Sequence, residues 1–81
     1  MKIEQFYIAI DLLQERITGK HVEIFCWNTM SKSKGDVVLK WSGYYPGSTP
    51  ENKASAQRVW RMNRRAGNCR MAKVRVTLIE I

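Results

Sequence analysis

The segment Pro46-Gly47-Ser48-Thr49-Pro50 constrains the fold of this chain more than any other stretch. Thr49 is a good helix N-cap, and Pro50 suits the first helical position, where a missing N–H costs nothing. Glu51 then complements the helix dipole. Gly67 is a natural stop, so a helix is predicted from about Pro50 to Ala66. Residues 69–81 (CRMAKVRVTLIEI) alternate apolar and polar types and predict a strand.

Upstream, the signals are of two kinds. Ile3, Phe6, Tyr7, Ile10, Leu13 and Ile17 recur at three- and four-residue spacing, which predicts a helix over 3–18 with Gly19 as its C-cap. Residues 21–30 (HVEIFCWNTM) are rich in β-branched and aromatic types and predict a strand. Residues 36–45 (DVVLKWSGYY) predict another, with SKSKG between them as a polar hairpin loop. The expected order is α-β-β-α-β, an α+β class with a three-stranded, mainly antiparallel sheet. A right-handed crossover from the second strand through the second helix is preferred. Passing over the first strand, it lays the third beside it, in sheet order 2-1-3 with both helices on one face.

Eighty-one residues make one domain, here a small basic one spanning 1–81. A chain this short buries roughly 60–65% of its unfolded surface, so its core is thin. Strand alternation sorts the side chains onto two faces. Val22, Ile24 and Cys26, then Val37, Leu39 and Trp41, then Ala72, Val74, Val76 and Leu78 are expected to meet the helices. The opposite face then carries Phe25, Trp27 and Tyr44 among Lys40, Lys73 and Arg75. Mixed aromatic and basic surfaces hold single strands, with bases stacked on rings and cations along the phosphates. The same rings also suit a dimer partner, because a two-layer domain leaves one sheet face open.

The charge is unevenly placed. The net charge is +7. Residues 1–25 carry Lys2, Arg16 and Lys20 against four acids, whereas residues 26–81 carry eleven Lys or Arg against Asp36, Glu51 and Glu80. Such a field attracts polyanions and speeds encounter with them. The predicted second helix holds Lys53, Arg58, Arg61, Arg64 and Arg65. Lys53, Gln57, Arg61 and Arg64 share one stripe, with Arg58 and Arg65 flanking it. Ala56, Val59, Trp60 and Asn63 lie opposite, toward the expected core. Glu51 is the only acid between residues 37 and 79, so this helix is not laced by ion pairs of its own.

Motif chemistry is sparse. His21 is the only histidine, and Cys26 and Cys69 are far apart, without metal-ligand spacing. Neither a GxxxxGK[ST] loop nor GxGxxG occurs. No metal or cofactor is expected, and no enzymatic role. The cysteines are expected as free thiols, Cys26 as a small hydrophobe within a strand. Lys2 is followed by an amphipathic pattern and not by an apolar signal-peptide core, which suggests a cytoplasmic protein without a membrane span. The expected function is nucleic-acid binding through phosphate-backbone contacts with little base reading. The alternative is an inhibitor or adaptor, of the kind phages and mobile elements encode, that blocks a larger nucleic-acid-processing machine. A small metal-free nuclease or toxin stands behind both.

Overall fold

A computed structural model describes residues Lys2–Ile81. It contains β1 (Lys2–Gln14), β2 (His21–Ser31), α1 (Lys34–Trp41), α2 (Pro50–Arg65) and β3 (Cys69–Leu78). The three strands form one antiparallel sheet in the order β2-β1-β3. The α+β class, with three antiparallel strands and two helices packed against one sheet face, is as the sequence predicts. Two of the elements are exchanged, however, and the chain order is β-β-α-α-β.

The segment predicted as a helix over 3–18 is instead the central strand. Its neighbours pair on both sides, from Ala9↔Cys26 to Gln14↔His21 and from Lys2↔Leu78 to Asp11↔Cys69. Ile8, Ala9 and Ile10 are all at most 1% exposed. A strand buried on both faces reads as a continuous apolar run, and in such a run helical spacing is met by accident. Gly19 does take a positive φ of 69°, but it closes the β1–β2 hairpin and caps no helix.

The segment predicted as a strand over 36–45 contains α1. Its dense β-branched content is set by burial, since Val37, Val38 and Leu39 all enter the core. Tertiary packing here overrides strand propensity. Asp36 lies in the first turn, Lys40 in the last, and Gly43 follows with φ of 86°. SKSKG is thus the lead into a helix and not a hairpin loop. The centre of the sheet is accordingly residues 2–14 and not 21–30, and the crossover to β3 runs through both helices.

The segment after the break behaves as predicted. The Thr49 hydroxyl accepts from the Asn52 N–H at 3.3 Å, Pro50 begins α2, and Gly67 ends it with φ of 78°.

The core between sheet and helices consists of Ala9, Val37, Val38, Leu39, Ala56, Trp60 and Cys69. Trp60 meets Trp41 edge-on, with ring centroids 5.0 Å apart. The Asp11 carboxylate ties this layer together, accepting from Trp41 Nε1 at 2.8 Å and from the Cys26 thiol at 3.5 Å. β2 bulges opposite Tyr7–Ala9, and the buried Thr29 repairs the ladder there. Its hydroxyl accepts from the Ala9 N–H at 3.0 Å and donates to the Cys26 carbonyl at 2.6 Å.

Candidate polyanion-binding surface

Register fixes which strand residues share a face. Tyr7, Ala9 and Asp11 pair with Lys73, Met71 and Cys69, and Ala9 also pairs with Cys26. Because Ala9 and Cys69 belong to the helix-side core, Lys73 faces the helices as well. Arg75, opposite Gln5, shares its phase. The predicted phase of the last strand is therefore inverted: Ala72, Val74, Val76 and Leu78 face away from the helices. Each of the two sets is internally consistent by alternation, and only the partner strand decides which one turns inward.

This inversion dissolves the expected aromatic and basic platform. Phe25 and Trp27 do lie opposite the helices, with ring centroids 6.0 Å apart and about half of each side exposed. Lys73 and Arg75 lie on the other face. Lys40 and Tyr44 are not strand residues at all. Lys40 sits in the last turn of α1, and its ammonium donates to the Met30 carbonyl at 3.2 Å and to Ser31 Oγ at 3.0 Å. Tyr44 packs against the helix-side core.

What the structure does assemble is a basic layer. Lys53, Arg58, Arg61, Arg64 and Arg65 are all exposed on α2. The ion pairs among the described residues are Lys2–Glu4, Lys32–Glu4 and Arg70–Glu23. All of these belong to the opposite sheet face or its margin. The α2 cations, Lys34, Lys73 and Arg75 have no acidic partner within bridging distance among the described residues.

Three of these cations come from different elements and line one cleft. Lys34 opens α1, Arg64 lies near the end of α2, and Lys73 lies on β3. The cleft has a volume of about 400 Å³, and Tyr7, Val38, Trp60 and Met71 contribute its apolar lining. Gln57 reaches it from the same α2 stripe as Arg61 and Arg64. The Lys34 ammonium stands 5.3 Å from the centroid of the Tyr7 ring. Chemically, such a cleft can hold an anion at its rim and apolar surface below it. A second hollow, lined by Ser33, Asp36, Lys53 and Gln57, is less basic because Asp36 shares it.

Lys34 was not a predicted site residue. Reading SKSKG as a hairpin loop removed it from the helical layer, although Ser33 and Asp36, spaced as a helix N-terminus, were a usable signal.

The two cysteines flank β1 on the helix side and remain free. Burial, followed by the neighbouring Asp11 charge, raises both thiols above their ordinary pKa. They are therefore protonated and poorly nucleophilic near neutral pH. His21 lies exposed at the start of β2. No group of three or more His, Cys, Asp or Glu side chains able to hold a metal occurs among the described residues. No helix among them is long and apolar enough to cross a membrane. The chain matches no family model, no curated protein and no solved structure, so the surface is read from its own geometry.

Proposed function

We propose that the helical layer binds nucleic acid through its phosphate backbone. The observation that carries this reading is the gathering of unpaired cations on one layer, three of them around a single cleft. Phosphate contacts position a protein on a strand without reading its bases. The basic surface is spread over α1, α2 and β3 and is not confined to one helix, which favours backbone recognition. The same layer could engage an acidic protein, as an adaptor or inhibitor would. The observation favouring that second reading is the apolar lining of the cleft, Tyr7, Val38, Trp60 and Met71, beneath its cations.

Fluorescence anisotropy with labelled single-stranded and duplex 20-mers of unrelated sequence tests the proposal. Both are expected to bind, with little preference among sequences. Arg61→Glu combined with Arg64→Glu is expected to abolish binding at 100 mM salt while leaving far-UV CD unchanged. A folded double variant that binds as well as the parent removes α2 from the site.

A further inference from the structure

The sheet face turned away from the helices is the other surface of the molecule that needs an explanation. Phe6, Ile8 and Ile10 of β1 lie on it, opposite Val74, Ala72 and Arg70 of β3. Ile8 and Ile10 are fully covered by their neighbours, but the side chains around them are not: Trp27 is 60% exposed and Leu78 57%. Phe6, Met30, Val76 and Leu78, together with the paired Lys2 and Glu4, also line a groove of about 220 Å³. Soluble monomers seldom leave a contiguous apolar face of this kind open.

We propose that a second copy of this chain covers this face, giving a back-to-back dimer. A second copy fits this face because its cations are ion-paired, so two identical faces meet with little local repulsion. On this face Lys2 and Lys32 are paired with Glu4, and Arg70 with Glu23. Lys2 and Lys32 also hold the Glu4 carboxyl below its ordinary pKa, with the Lys2 hydrogen bond the largest cause. The excess positive charge lies on the helical layer. Two chains of net charge +7 repel least when their helical layers point apart.

Shape agrees. The protein measures 45 × 38 × 16 Å, so its sheet is one broad, reachable side. β1 and β3 pair over ten residues and β2 flanks β1 from Tyr7 to Gln14, so the staggered face covers about 500 Å² in projection at ~4.8 × 3.3 Å per residue. That flat area lies below the roughly 800 Å² per partner of a standard specific interface and matches the smaller interface of a weak dimer. Trp27 lies in the bulge just past the Ala9↔Cys26 pair, toward Tyr7↔Ser31, whereas the groove lies around Glu4, Phe6 and Val76. A twofold axis across the strands near Phe6 brings the β2 edge of each copy, with its Trp27, over the Met30 side of the other's groove. This is the self-complementary arrangement that a twofold interface requires. A cavity of about 150 Å³ holds benzene, so a 220 Å³ groove is a suitable size for an indole.

Pairing through a sheet edge is the competing geometry, and both edges discourage it. β2 is bulged, and β3 carries Arg70, Lys73 and Arg75 along its length. Bulges and edge cations are the devices by which exposed strands avoid each other. If the helical layer binds nucleic acid, as proposed above, the dimer directs two such layers outward and can join two strands.

Sedimentation equilibrium of the full chain at 10–200 μM tests the dimer without any nucleic acid. The expected mass is near twice 9.4 kDa. Raising salt from 50 to 500 mM is expected to tighten association, because it screens the repulsion between like-charged copies. Trp27→Glu and, separately, Leu78→Glu are expected to weaken dimerisation at least ~30-fold with parental far-UV CD, the loss expected of interface anchors. Arg61→Glu is expected to leave the dimer intact. A parent that is monomeric at 200 μM overturns the proposal and assigns the face to a different partner. So does a dimer that survives both sheet-face substitutions, or one that only Arg61→Glu disrupts.

Discussion

Removing the three cleft cations together makes a quantitative demand on the nucleic-acid reading. Lys34, Arg64 and Lys73 line the cleft, and Arg61 and Lys53 share the α2 stripe that borders it. If these five contact phosphate, the logarithm of the binding constant falls with that of salt at a slope of about −4.5 on duplex and about −3.5 on single strands. Going from 50 to 200 mM salt then weakens duplex binding ~500-fold and single-strand binding ~130-fold. Substituting Lys34→Gln, Arg64→Gln and Lys73→Gln leaves two contacts and slopes of about −1.8 and −1.4, so the same salt step costs only ~12-fold and ~7-fold. All three residues are exposed. Their combined effect on stability is expected near 1–2 kcal/mol, including a modest loss of the Lys34 contact with Tyr7. The assay is anisotropy at six or more salt concentrations, with far-UV CD confirming the fold. A triple variant whose slope stays within about 0.5 of the parent's would show that the cleft does not contact phosphate.

Two further outcomes test how the fold is held. Thr29→Val keeps shape but orphans the Ala9 N–H and the Cys26 carbonyl at the bulge, and is expected to cost about 2–4 kcal/mol in urea unfolding. Thr29→Ser keeps both hydrogen bonds and is expected to cost only about 1 kcal/mol, so a Val variant as stable as the Ser variant would discount the hydroxyl. Trp60→Ala is expected to cost roughly 3–5 kcal/mol, because the ring is buried between α2 and the sheet against Trp41. An unchanged melting curve would contradict that placement.

The parts of the fold legible in the sequence are those written in caps and alternation. Thr49, Pro50 and Gly67 mark both ends of α2, and residues 69–78 alternate as a strand. The run Phe6–Ile10 and the run Val37–Leu39 are apolar at nearly every position, so neither period can be read from them. One was a strand read as a helix, the other a helix read as a strand, and the class survived because the two exchanges offset each other. The α2 cations were legible because solvent exposure needs only a stripe. Lys34 was not, because it depends on α1 existing. The face taken by Lys73 and Arg75 was not either, because it depends on register with β1, which is a property of two strands and not of one.

That inverted phase gives the molecule its two unlike sides. Had Val74, Val76 and Leu78 turned toward the helices, the core would be larger and the cations would stand among the aromatics. Instead the helical layer closes over a small core, with Lys73 beside α2 and Arg75 on the same side of the sheet, while the apolar side chains of β3 join Phe6 and Phe25 on the open face. The two proposed events are therefore expected to respond to salt with opposite sign. Counterion release is expected to make nucleic-acid binding by the basic layer weaken as salt rises. Association of two copies through the open sheet face is expected to strengthen over the same range, because salt screens the repulsion of the two basic layers. A single salt titration that follows nucleic-acid binding and chain mass in parallel thus separates the two surfaces without any substitution. If both signals weaken together, the same cations serve both events and the division of labour between the faces fails.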